Sequence, residues 1–341
     1  MAVTMPSPTC FTTQNCSIPT TNESEDEVYQ GGFNVKINIF PIVIAILIVA
    51  VNSWVIGLVA VKRSLRTVTN YILASLALSD LCTGAVSIPL FLSCNITILP
   101  GVCVADMVVV IFTAVSTVLH ILVMTIDRYI CIIYALRYQI WVTKRRGWYV
   151  IALIWLFSMF MALIQLAWAD PTQEPTEDRE AEAERIFVVY DTFRFVVFIG
   201  IPVLFMAFTY GRILYEVHRQ TKNIHKNNTP GWQETRRSTR REWKVATIFL
   251  VMMVVFIVCW VPHYLLRLEQ ILQDDFFQLN LSDLAIVLLY WLRLCTSLIN
   301  PFLYILAKPD FRKATCLWRK KQRRNNSELT SRTSMLKSSA V

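Results

Sequence analysis

Runs of roughly 20 apolar residues recur along this chain, and their recurrence leaves few folds open. A helix needs about that length to cross the hydrocarbon core of a bilayer. Inside it, every backbone N–H and C=O must be satisfied within the segment. Seven runs are legible: about 37–61, 70–93, 103–134, 148–168, 186–215, 244–268 and 282–306. Only 17% of the 341 residues are charged, against about 25% in an average soluble domain. The expectation is an all-α membrane protein, a seven-transmembrane helix bundle over residues 37–306.

The charges between the runs set the sidedness. Lys62, Arg63 and Arg66 follow the first run, and Arg137, Lys144, Arg145 and Arg146 follow the third. The 216–243 segment and the tail are basic as well, whereas 170–185 is strongly acidic. The positive-inside rule then places the N-terminus outside and the C-terminus in the cytoplasm, as in a multi-pass plasma-membrane protein. The net charge of +9 reflects that sidedness and does not call for nucleic acid. Residues 1–36 are polar, with acids at 23 and 25–27, and read as a disordered extracellular arm without a cleavable signal. Residues 307–321 set Phe311, Leu317 and Trp318 among basic residues, the pattern of a short amphipathic eighth helix on the membrane surface. Residues 322–341 form a cytoplasmic tail.

Polar residues inside the runs carry the functional signal, because charge at membrane depth is costly and is usually paired. Asp127 and Arg128 close the third run, and Asp80 sits in the middle of the second. Asn52 can bond its own backbone or bridge to another helix. Pro89 and Pro202 should disturb the second and fifth helices. Arg194, Arg267 and Arg293 are cations in the outer halves of the fifth, sixth and seventh runs.

The motifs fall one to a helix and in order: Asn52; Leu76-Ala77-Leu78-Ser79-Asp80; Asp127-Arg128-Tyr129; Trp155; Pro202 with Tyr210; Phe256 with Cys259-Trp260-Val261-Pro262; and Asn300-Pro301-Phe302-Leu303-Tyr304. This set resembles the rhodopsin-like (class A) G-protein-coupled receptors over about residues 37–320. The resemblance implies a receptor that passes an extracellular ligand's signal to a heterotrimeric G protein and is attended by receptor kinases and arrestin. It implies that Arg128 pairs at rest with Asp127 and with Glu242 at the foot of helix six, and on activation faces Tyr210 and Tyr304. It implies that Leu136 docks into the G protein, although Ala135 stands where the family usually has Pro. Phe256, Trp260 and Pro262 match the family's toggle. Asp80, Thr117, Ser297 and Asn300 match positions that hold a sodium ion; a protonated Asp80 bonded to Asn300 would serve equally. No other cofactor is implied.

For the ligand, the family's amine anchor position holds Val110, whereas Asp106 lies one turn earlier. Arg293 shares the inward face of Asn300. Arg194, Arg267, His263, Tyr264 and Tyr290 are placed to line the same cavity. Guanidinium groups hold carboxylates and phosphates by bidentate bonds, so the first expectation is an anionic or zwitterionic small molecule or lipid. The alternative is an amine or peptide bound through Asp106, with the arginines neutralised by Asp106, Asp191 or Glu269.

The family usually bridges the top of helix three to the second outer loop, but residues 169–185 contain no Cys. Cys10, Cys16, Cys94 and Cys103 allow three pairings, among them Cys94–Cys103 across the first outer loop. Sequons at Asn15 and Asn22 suit glycosylation of the arm, and Cys316 suits palmitoylation. Ser339-Ala340-Val341 has the form of a PDZ ligand. Other classes fit worse. There is no His-Glu-x-x-His and no Gly-rich phosphate loop for an enzyme. The spans are dissimilar and the chain has only nine Gly, against a transporter's repeats and broken helices. Leu294 stands where an opsin needs its retinal Lys.

Overall fold

The computed structural model describes residues 35–167, 177–227, 232–272, 283–307 and 310–315. Seven of its helices are long and apolar enough to cross a membrane. They are α1 (Val35–Val61), α2 (Val68–Thr97), α3 (Pro100–Ile133), α4 (Lys144–Leu163), α5 (Glu177–Phe195, continuing to Asn227), α6 (Trp232–Leu272) and α7 (Asp283–Ala307). A further short helix, α8, covers 310–315. It buries Phe311 and Ala314 and exposes Arg312 and Lys313, as an amphipathic surface helix should.

Helix α3 is the axis of the bundle. In its most apolar stretch 67% of residues are buried inside the protein, against 33% in α4 and α5. The uncovered residues on the outer helices are large and apolar, such as Leu156 and Leu204, which suits contact with lipid tails.

The two proline expectations resolve into one device. In α2 a π-helical turn, Thr83–Ser87, stands just before Pro89, and in α5 the turn Val196–Gly200 stands just before Pro202. Proline cannot donate the i→i−4 bond and its ring crowds the carbonyl four residues back. The wider turn relieves that crowding without leaving the helix.

Two boundaries differ from the sequence expectation. The acidic 170–185 segment is not all loop, because α5 already begins at Glu177. The basic 216–243 segment is largely helix, with α5 running to Asn227 and α6 starting at Trp232. A helix satisfies its own backbone whether water or lipid surrounds it, so hydropathy marks the bilayer and not the helix end.

Candidate functional site

Three polar layers follow one another along the inner face of the bundle. At one end, Asp127 and Arg128 are buried between α2, α3 and the following turn. Asp127 Oδ2 accepts from Arg128 Nη2 at 2.5 Å, Arg128 Nε at 3.1 Å and Thr69 Oγ1 at 2.8 Å. Its other oxygen, Oδ1, accepts from Tyr138 Oη at 2.8 Å. Arg128 Nη2 also donates to Thr69 Oγ1 at 3.0 Å. Charge-assisted bonds of this kind are about twice as strong as neutral ones. Tyr138 belongs to a one-turn helix, Tyr138–Trp141. Burial first, then the Asp127 charge, pushes its phenol well above the usual tyrosine range, so it stays protonated and keeps donating.

Around this cluster, Tyr210 is buried within electrostatic reach of Arg128. Tyr304 is wholly buried, its ring 5.7 Å from that of Phe311 on α8. Leu136, in the turn after α3, is 97% exposed. Glu242 lies on α6, but its side chain is outside the described residues. Thr69 and Tyr138 carry no signal in sequence, since each reaches Asp127 from another element.

The middle layer joins α1, α2 and α7. Asn52 Nδ2 does both things open to it, donating to Ile48 O at 3.0 Å and to Ser297 O at 3.1 Å. Asn300 Nδ2 donates to Asp80 Oδ2 at 3.2 Å. The buried acceptors Asp80 Oδ1 and Asn300 Oδ1 have no hydrogen-bond partner among the described residues. Between α2, α3 and α4, Trp155 Nε1 donates to Ser75 Oγ at 2.9 Å, and Ser75 Oγ lies 2.8 Å from His120 Nε2. The other His120 nitrogen, Nδ1, sits 2.7 Å from Ser116 O, which satisfies this buried imidazole fully.

The third layer is a small, partly open cavity, on the scale of a water-sized group, lined by Val110, Thr113, Trp260, Arg293 and Thr296 among others. Thr117 and Ser297, from the sodium set, also line it. Phe256 and Trp260 stack beneath it with centroids 5.5 Å apart. His263 lies edge-on to both Trp260 and Tyr290, at 6.2 and 6.3 Å. The Arg293 guanidinium lies 4.6 Å from the Tyr290 ring centroid and 5.5 Å from that of Trp260. Asp106 is within electrostatic reach of Arg293, and its Oδ1 is buried with no hydrogen-bond partner among the described residues.

The three arginines differ in their surroundings: Arg293 lines the cavity. Arg194 is held by Asp191 in a buried ion pair on α5, its guanidinium over Tyr190 and Tyr264 at 5.0 and 5.7 Å. Spacing of i and i+3 on one helix face makes that pairing natural. The Arg267 side chain lies outside the described residues. Cys94 and Cys103 are joined as a disulfide with Cα atoms 4.9 Å apart, tying α2 to α3 at this end. Cys82, Cys131, Cys259 and Cys295 carry free thiols. Asn15, Asn22, Cys316 and Val341 lie outside the described residues.

Seven helices around a buried Asp-Arg cluster, with a cavity above a stacked Phe-Trp pair, define a membrane receptor. Residues 51–304 match the model of the 7 transmembrane receptor (rhodopsin family), and the chain belongs to that family. It is 27% identical to the histamine H2 receptor of Cavia porcellus, over 83% of this chain and 79% of that protein. It is 28% identical to the octopamine receptor beta-2R of Chilo suppressalis, over 80% and 76%. It is 29% identical to the adenosine receptor A2a of Canis lupus familiaris, over 79% and 68%. The chain is a G-protein-coupled receptor and not an enzyme.

Proposed function

We propose that this receptor responds to a small amine, or to the ammonium of a peptide, held by Asp106. The observation that carries the reading is the Asp106 carboxylate, one of whose oxygens is buried without a hydrogen-bond partner among the described residues. It sits one turn, about 6 Å along the helix axis, from the cavity-lining Val110. A carboxylate in such a place gains strongly from a cation that completes its bonds. Two of the relatives are named for the amines histamine and octopamine. The anionic or zwitterionic reading now rests on Arg293, because Arg194 is engaged by Asp191.

A signalling screen of amines, peptides, lipids and carboxylic acids tests this. Asp106→Asn should lower the potency of the active amine by ~100-fold or more, as expected for an unpaired buried charge. An acidic agonist that ignores Asp106→Asn and fails on Arg293→Gln would overturn the amine reading in favour of the anionic one.

The other end serves coupling. The N-terminus faces outward at the plasma membrane, and the Arg128 cluster faces the cytoplasm with Leu136 as a docking knob for the G protein. Glu242 completes the resting lock on Arg128. Asp80, Thr117, Ser297 and Asn300 would hold a sodium ion at rest; the two buried acceptor oxygens there suit a hard cation. Receptor kinases, arrestin and a PDZ protein at Val341 act on the tail, with glycans on Asn15 and Asn22 and a palmitoyl chain on Cys316.

A further inference from the structure

Two hydrogen-bond donor atoms on residues lining the cavity have no partner among the described residues. Arg293 is 5% exposed, and its Nε–H is buried without a partner among the described residues. Trp260 is 8% exposed, and its indole N–H is likewise buried and unmatched. Neither group can accept a bond, so only an acceptor satisfies them. Their cost is real, since a buried donor without a partner loses its hydration for nothing. The rings of Tyr290 and Trp260 attend the guanidinium charge and the Tyr290 hydroxyl interacts with the guanidinium, but the Nε–H itself stays unmatched among the described residues, and a π face does not replace an acceptor in the guanidinium plane. Thr296, whose buried hydroxyl is near the Cys259 thiol, lines the same space with Ser87.

Charge counting narrows the acceptor. Asp106 lies within electrostatic reach of Arg293, yet the pair forms no N–O contact within 4.0 Å among the described residues. An ammonium ligand on Asp106 would take up that negative charge. The guanidinium would then stand uncompensated at low dielectric, where charge interactions are strongest. One monovalent anion restores neutrality and supplies the missing acceptor.

We infer that the cavity between Arg293, Trp260 and Thr296 is a site for a small monovalent anion of chloride size, which binds cooperatively with the ammonium ligand. The cooperativity rests on the amine reading of Asp106; the anion site rests on the donors alone. By linkage, the anion raises amine affinity by the factor by which the amine raises anion affinity.

The experiment needs no agonist. Purified full-length receptor is melted in sodium gluconate progressively replaced by sodium chloride, with sodium and ionic strength constant so that the Asp80 region sees no change. Chloride should raise the melting point by about 2 °C or more, as ligand linkage requires, and bromide should do the same. Asp106→Asn should keep or enlarge the rise, because the competing acid is gone. Arg293→Gln should abolish it. Trp260→Phe keeps an aromatic ring and deletes the N–H, and should move the chloride midpoint upward about tenfold. Equal melting in chloride and gluconate for both wild type and Asp106→Asn would overturn the site and leave a water-filled cavity. Stabilisation by formate but not chloride would also overturn it, since the occupant would then be a ligand's carboxylate. A failed amine screen would leave these melts unaffected, so the two readings fail separately.

Discussion

Tyr138 Oη donates to Asp127 Oδ1 at 2.8 Å, so a residue 11 positions further along, in the turn after α3, holds the acid that holds Arg128. The cluster is therefore anchored from the turn as well as from within α3. Tyr138→Phe deletes this bond and a longer one that Arg128 Nη2 donates to Tyr138 Oη at 3.4 Å; a single charge-assisted bond is worth about 1.5–3 kcal/mol. Ligand-independent G-protein activation should rise, with surface level unchanged, in an assay able to register constitutive signalling. Because the Tyr138 proton is held above the ordinary tyrosine range, the donor itself is not lost below about pH 10. Wild-type basal activity that equals the Phe variant's would remove Tyr138 from the lock.

The Arg194–Asp191 pair is buried on both sides, and it should behave as structure and not as ligand contact. Removing one partner of a buried pair costs about 3–5 kcal/mol, whereas replacing both with apolar groups is often neutral. Asp191→Asn should thus cut surface expression sharply, and the double change Asp191→Leu with Arg194→Leu should restore most of it. Surface immunostaining and melting of solubilised receptor measure this. A double variant as poor as the single one would show that the pair does something beyond neutralising itself.

Gly84 lies in the π-helical turn of α2, where α1 comes close. A Cβ there would meet Ile48 Cγ2 at 2.9 Å and the Ala45 carbonyl oxygen at 3.0 Å. Backbone cannot move aside as a side-chain tip can, so Gly84→Ala should cost about 1–3 kcal/mol as overpacking. At about 2–4 °C per kcal/mol, the melting point should fall measurably. Gly57, with nothing within 4 Å of its Cβ position, is the control, and Gly57→Ala should melt like wild type or slightly higher. Equal effects at the two positions would mean that the close approach of α1 to α2 is misjudged.

The number of spans was legible in the chain because bilayer thickness imposes one length on every crossing helix. Sidedness was argued from where Lys and Arg cluster. The motif residues Asp127, Arg128, Asp80, Asn300 and Trp260 stood out because polar or aromatic groups at fixed positions break an apolar run. Helix ends were less legible: Glu177 and Trp232 begin helices in polar sequence, where hydropathy says nothing about backbone bonding.

Partnership was decided by the tertiary structure. Asp191 for Arg194 was one of several acids open in sequence, and the fold selected it. Thr69 and Tyr138 on Asp127, and Ser75 between His120 and Trp155, come from separate elements and left no spacing to read. The reason is physical. In a soluble helix the apolar stripe marks the buried face. In a membrane, lipid and protein interior are both apolar, so a run such as Val104–Met124 does not say which way it is turned. Only the packing of its neighbours fixes that rotation, and with it which side chains meet.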